Sequence, residues 1–205
     1  VRYDIEKHVM PAFMPRLYEM NVLDNIGAMG MNFVDAYLDS GDRALLPVIR
    51  RICWQIEETI PRLEDGTYYR RDTMWVDDLY MSCPFLVCMG RLTGDVSWYE
   101  KAKAQIQGFR KRLYMEEEGL FSHIYFPGKG TANRVPWGRG NGWVMWTLSE
   151  LLMCGEDKVE LDAEKKLFQQ MADRIRALQD ESGLWHQVLN RRDADSYLET
   201  SCTGM

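Results

Sequence analysis

Apolar residues recur at three- and four-residue spacing in six stretches, near 24–39, 43–60, 75–92, 96–114, 142–154 and 160–180, and each stretch predicts an amphipathic helix. Strand-like alternation is confined to Thr67–Arg70, Leu120–Phe126 and Leu184–Leu189. The helices come in pairs. Ser40-Gly41-Asp42 and Thr93-Gly94-Asp95 each join a glycine suited to ending one helix to an aspartate suited to capping the next, and Cys154-Gly155-Glu156-Asp157 is a looser copy. A second punctuation follows each pair: Asp65-Gly66-Thr67-Tyr68, Glu118-Gly119-Leu120-Phe121 and Ser182-Gly183-Leu184-Trp185. The repeating unit is helix, tight turn, helix, glycine corner, short strand, long loop.

Two-helix repeats of this length build either an open α-solenoid or a closed α/α barrel. Solenoids have short turns at both ends, whereas here one end carries loops as long as Tyr125–Pro136, rich in Gly and Trp nearby, which suits the rim of a site. The expected fold is therefore all-α, an α/α barrel, with residues 1–205 forming one domain. Such barrels usually close with six pairs. Three pairs and a partial unit at each end are visible, so about half of a conventional barrel is expected to lie outside this sequence. Both ends also read as cut, since the chain begins at Val1 and Tyr197–Met205 carries no helix stop.

Composition narrows the function classes. The chain has 205 residues, a net charge of −6, and 46% hydrophobic and 27% charged residues, which suits one sizeable core. The negative balance argues against nucleic acid as a partner but leaves room for an acidic small molecule, because one local arginine outweighs a weak overall field. No apolar run approaches the ~20 residues that span a bilayer, so no membrane partner is expected. Cys53, Cys83, Cys88, Cys154 and Cys202 have no metal-binding spacing and read as reduced, buried thiols, which predicts a reducing, cytoplasmic setting.

Three polar clusters open apolar helices: Asp24-Asn25, Asp77-Asp78 and Arg139-Gly140-Asn141. Asp24 precedes Asp77 by the interval that separates Gly66 from Gly119, so the two are equivalent positions of successive hairpins, and facing entrances would make a pocket. Asp78 reads as the cap of a helix beginning at Leu79. For Asp77, Trp75 and Tyr80 offer a drier setting that favours a protonated acid, while the helix N-terminus pulls the other way. Asp24 reads equally as a cap or as a partner carboxylate. In Trp137-Gly138-Arg139-Gly140-Asn141-Gly142-Trp143, three glycines imply close backbone approach, Arg139 is a ready carboxylate clamp and Trp143 a stacking face. His123 and His186 each follow a repeat glycine and could reach the rim, whereas His8 stands apart from any motif. No metal motif is present, and no cofactor is expected.

Leu23-Asp-Asn-Ile-Gly27, Met74-Trp-Val-Asp-Asp-Leu-Tyr-Met81 followed by Pro84-Phe85, Trp137-Gly-Arg-Gly-Asn-Gly-Trp-Val144, Gly183-Leu-Trp-His-Gln-Val-Leu189 and Tyr197-Leu-Glu-Thr-Ser201 resemble, in order, the motifs of glycoside hydrolase family 105, the unsaturated rhamnogalacturonyl hydrolases. The resemblance implies an (α/α)6 barrel that removes a Δ4,5-unsaturated uronic acid from the non-reducing end of pectin lyase products. It implies that an aspartate protonates C4 of the vinyl ether and helps water add at C5, after which the hemiketal opens and frees the neighbouring sugar. By position, Asp77 is then the acid/base and Asp24 its assistant. His123, Arg139, Trp143, Trp75, Asn141 and His186 line the substrate site, with Glu199 matching a further motif. The related family 88 type, acting on unsaturated glucuronyl sugars, is the neighbouring alternative. A non-catalytic carbohydrate-binding helical repeat and a sugar epimerase on the same barrel are the others.

Overall fold

The computed structural model describes residues 23–205, so His8 lies outside the described residues. Three helical hairpins follow one another: α1 (Gly27–Ser40) with α2 (Leu46–Glu58), α3 (Cys83–Thr93) with α4 (Ser97–Leu113), and α5 (Gly138–Gly155) with α6 (Asp162–Ala177). A last turn of helix, α7, spans Thr200–Thr203. The first two turns are those the sequence predicts, whereas at the third Gly155 stays inside α5 without a left-handed φ and α6 begins only at Asp162. Gly41 and Gly94 take left-handed φ of 69° and 72° and donate to Tyr37 O and Gly90 O. Asp42 and Asp95 then accept from the N–H groups of Ala44 and Ser97, each at 2.9 Å. Gly66, Gly119 and Gly183 are left-handed as well, at 84°, 67° and 83°, which explains why the corner glycine recurs.

The hairpins stack so that α3 packs against α1, α4 and α5, while α2 and α6 lie against α1 and α5. The inner row is α1, α3, α5 and the outer row α2, α4, α6, the wall of an α/α barrel. Burial follows the rows. Inner helix α3 buries every residue from Cys83 to Gly90, whereas outer helix α2 buries only a stripe through Val48, Ile49, Ile52, Gln55 and Ile56. One contiguous apolar core runs through all three pairs. Among the described residues, no helix is long and apolar enough to cross a membrane.

Two expectations shift. The stretch 75–92 is not one helix: Met74–Trp75 form strand β1, Val76–Leu79 form a 3-10 turn, and the α-helix begins only at Cys83. Pro84 suits the first turn of that helix and disfavours helical geometry before it. The second shift is in the long loop. β2 (Tyr114–Met115) pairs antiparallel with β3 (Leu120–Phe121), and β4 (Ile124–Phe126) lies between β1 and β5 (Thr131–Ala132) in a three-stranded antiparallel sheet. The loop after Tyr125 is therefore largely a hairpin. Leu184–Leu189 makes single bridges, Trp137 to Val188 and His186 to Leu198, in place of a continuous strand.

Candidate active site

The sheet sets the site. Trp75 pairs with Ile124, and beyond that pair the Val76 N–H donates to His123 O at 2.9 Å while the His123 N–H donates to Val135 O at 2.8 Å. His123 is thus held from both sides, one residue from the turn that carries Asp77. The Asp77 Oδ2 and His123 Nε2 atoms stand 3.2 Å apart. Both are buried, and neither has a hydrogen-bond partner in good geometry. The side chains still keep 13% and 19% exposure, so the pair is not sealed from the surface.

Aromatic rings wall this pair. Trp75 meets the His123 ring edge to face at 5.2 Å, and Trp137 lies over it at 4.6 Å. The Arg139 guanidinium stacks on the other ring partner, 4.2 Å from the Trp137 centroid. Trp143 stacks on Tyr80 at 4.3 Å with planes 24° apart, which ties the third entrance to the second.

Glycines allow the entrances to meet. A Cβ on Gly27 would fall 1.5 Å from the Met81 carbonyl oxygen, so backbone touches backbone where α1 begins. A Cβ on Gly140 would meet Val76 at 2.6 Å, one on Gly138 would crowd Cys202 and the His186 carbonyl, and one on Gly142 would crowd Met205. The close approach expected from the glycines is real, and what approaches is protein.

Asp78 does not cap a helix. It is fully buried and takes three hydrogen bonds from Arg70: Nε to both oxygens at 3.0 Å and Nη2 to Oδ1 at 2.7 Å. Burial pushes the Asp78 carboxyl up to about 6; Arg70 pulls it down, and Asp24 and Asp77 add to the rise. The same Arg70 Nη2 reaches Asp24 Oδ2 at 2.8 Å. Asp24 is therefore a partner of this cluster and not a plain cap. The sequence signal for Arg70 was charge balance, since three carboxylates at adjoining entrances call for a cation.

Three expected substrate contacts are engaged inside the protein. Asn141 is 1% exposed; its Oδ1 accepts the Phe121 N–H at 2.8 Å, and its Nδ2 donates to Phe121 O and Trp137 O, each at 3.0 Å. Its amide pins β3 to the start of α5. His186 is buried, with Nδ1 bonded to the Ser196 carbonyl of its own loop, and no contact brings it to Asp77. Arg139 Nη1 is engaged by Glu199, with Ser201 Oγ at 3.2 Å, so a carboxylate already sits on the expected clamp. An apolar cavity of about 200 Å³, lined by Gly138, Met145, Ile175, Trp185, Leu189 and Met205 among others, lies behind this entrance with no carboxylate in its wall.

Helical hairpins with a carboxylate, a histidine and tryptophans gathered where inner helices begin have the build of a carbohydrate-active α/α barrel. The chain belongs to Glycosyl Hydrolase Family 88, whose family model matches residues 3–205. It is 28% identical over 176 residues to the unsaturated rhamnogalacturonyl hydrolase YesR of Bacillus subtilis (strain 168), covering 80% of this chain and 50% of that protein. It is 31% identical over 140 residues to an unsaturated 3S-rhamnoglycuronyl hydrolase of Formosa agariphila, covering 63% of this chain and 37% of that one. A family 105 glycoside hydrolase from C. acetobutylicum ATCC 824 has the same fold, with a TM-score of 0.83 at 21% identity, over 90% of this chain and 55% of that structure. The family 105 resemblance and the α/α-barrel fold are borne out. The chain spans about half the length of YesR.

Proposed function

We propose that residues 1–205 act as one catalytic domain that removes a Δ4,5-unsaturated galacturonic acid from the non-reducing end of rhamnogalacturonan lyase products. The observation that carries this reading is the Asp77–His123 pair, whose Oδ2 and Nε2 atoms lie 3.2 Å apart, buried and without a hydrogen bond to the rest of the protein. Unmet polar valence is costly in a folded protein and is tolerated where a substrate completes it.

Protonated Asp77 donates to C4 of the vinyl ether, and the cation left at C5 is stabilised by the ring oxygen. Asp77, now a carboxylate, takes a proton from the water that attacks C5. The resulting hemiketal opens, and the neighbouring sugar leaves at C1, with one water consumed. His123 contacts the sugar beside the reacting carbons, and Trp75 and Trp143 supply apolar faces for the ring. The uronate carboxylate reaches Arg139 beside or in place of Glu199. Five free cysteines support a reducing, cytoplasmic setting for this activity.

The rhamnoglycuronyl relative favours a second reading, in which the leaving unit or the uronate differs from that of pectin. Following the loss of the unsaturated-uronate absorbance separates the two. Turnover of unsaturated galacturonyl-rhamnose well above that of unsaturated chondroitin disaccharide is expected. The reverse preference would move the chain to the glucuronyl reading, and no turnover of either would leave a non-catalytic sugar-binding module.

A further inference from the structure

The chemistry at Asp77 leaves one charged side chain beside it without a role. Arg70 lies on a tight turn, with its N–H donating to Thr73 O at 2.6 Å and the Thr73 N–H returning to Arg70 O at 2.7 Å. Arg71 in between is left-handed, at φ 41°. That turn aims the guanidinium at two entrances at once. It grips buried Asp78 through Nε and Nη2 and reaches Asp24 through the same Nη2. It also stands 5.0 Å from the ring centroid of Trp75, the ring that abuts His123.

We propose that Arg70 is a positioning residue for the proton transfer: it ties Asp24 of the first entrance to Asp78 of the second and so fixes the carboxylates that flank Asp77. The proposal rests on the reading of Asp77 as the acid. Asp78 is the anchor, because a fully buried carboxylate held by three bonds has nowhere to go. Asp24 is the part that needs holding: its side chain is 39% exposed, and Arg70 is its ion-pair partner among the described residues. A planar guanidinium presents several donors in one rigid fork, so one arginine can bind both acids where a lysine ammonium would serve one well. Asp24 and Asp78 thus share one fixed cation beside Asp77.

Arg70→Gln alone would strand a buried carboxylate, so the test pairs it with Asp78→Asn, which leaves two amides of similar shape. Steady-state turnover of unsaturated galacturonyl-rhamnose is measured for wild type, R70K, R70Q/D78N, D24N, the triple variant R70Q/D78N/D24N, and D77N, with thermal melts on each. We expect kcat of R70Q/D78N to fall ~10- to 100-fold with KM within about 3-fold, as for a misplaced catalytic group, and R70K to retain more of kcat than R70Q/D78N. Adding D24N to R70Q/D78N should cost far less than D24N costs in the wild type, because Asp24 is by then already released. Wild-type kcat in R70Q/D78N, or fully multiplicative losses with D24N, would overturn the proposal. Should R70Q/D78N fail to fold, a folded R70K with wild-type kcat would overturn it, and one with reduced kcat at unchanged KM would uphold it. An inactive D77N beside a fully active R70Q/D78N sinks the role of Arg70 alone, whereas a fully active D77N sinks the reading beneath it as well.

Discussion

The second and third helix entrances lie against each other, Gly140 on Val76, yet they use their polar groups in opposite ways. At the third, Asn141 makes three hydrogen bonds to backbone and Arg139 is engaged by Glu199. At the second, Asp78 is equally engaged by Arg70, but its neighbour Asp77 faces His123 with polar atoms unmatched. Equivalent positions in a repeat share an address and not a chemistry. Unmet polar atoms alone do not separate the two entrances, since Glu199 Oε2 at the third is also buried without a partner; the second differs in setting its unmatched carboxylate oxygen against an ionisable imidazole 3.2 Å away.

The largest structural effect is expected at the third entrance. Asn141→Ala removes three bonds and leaves buried groups of Phe121 unpaired, for a loss of about 2–5 kcal/mol in denaturant unfolding. A loss under about 0.5 kcal/mol would mean the amide is not structural and would erase the contrast between the entrances.

The two repeat-equivalent histidines sharpen the contrast further. His123→Ala should cut kcat by ~10- to 100-fold while unfolding free energy stays within about 1 kcal/mol, as befits a group with few protein bonds. His186→Ala should do the reverse, losing about 1–2 kcal/mol of stability through its bond to Ser196 while the folded fraction keeps its kcat. Exchanged outcomes would break the comparison.

The smallest effect is the pH dependence from Asp78. Its carboxyl is raised to about 6 in the folded chain, above the ordinary 3.8, so the native state binds more protons between those values. The contribution to stability is complete below about 3.8 and is lost as pH rises through about 6, by at most about 1.4 kcal/mol per pH unit. Wild type should therefore lose stability relative to Asp78→Asn between about pH 4 and 7. A flat difference between the two curves would mean that Arg70 cancels the cost of burial.

The repeat was readable from sequence because its determinants are local. Gly41-Asp42, Gly94-Asp95 and the corner glycines 66, 119 and 183 carry their conformation in two or three residues. The three entrances could likewise be placed from their spacing, and Asp77 and His123 do come together. What the sequence withheld was pairing at a distance. Asn141 finds Phe121 across 20 residues, and Arg139 finds Glu199 across 60, separations on which periodicity is silent. Arg70 was missed although only eight residues from Asp78, because a turn reverses the chain between them. The helix start at Cys83 was misread because apolar spacing continues through Val76–Leu79, where a 3-10 turn before Pro84 supplants the α-helix.

Asp77 is proposed to move the proton. That role is tested most directly by kcat of Asp77→Asn against wild type on unsaturated galacturonyl-rhamnose, followed by the unsaturated-uronate absorbance, with melting temperatures taken on both proteins. A fall of ~10²–10⁴-fold in kcat with an unchanged melting temperature is the predicted result, the range expected for losing a general acid. Equal rates for the two proteins would contradict the account.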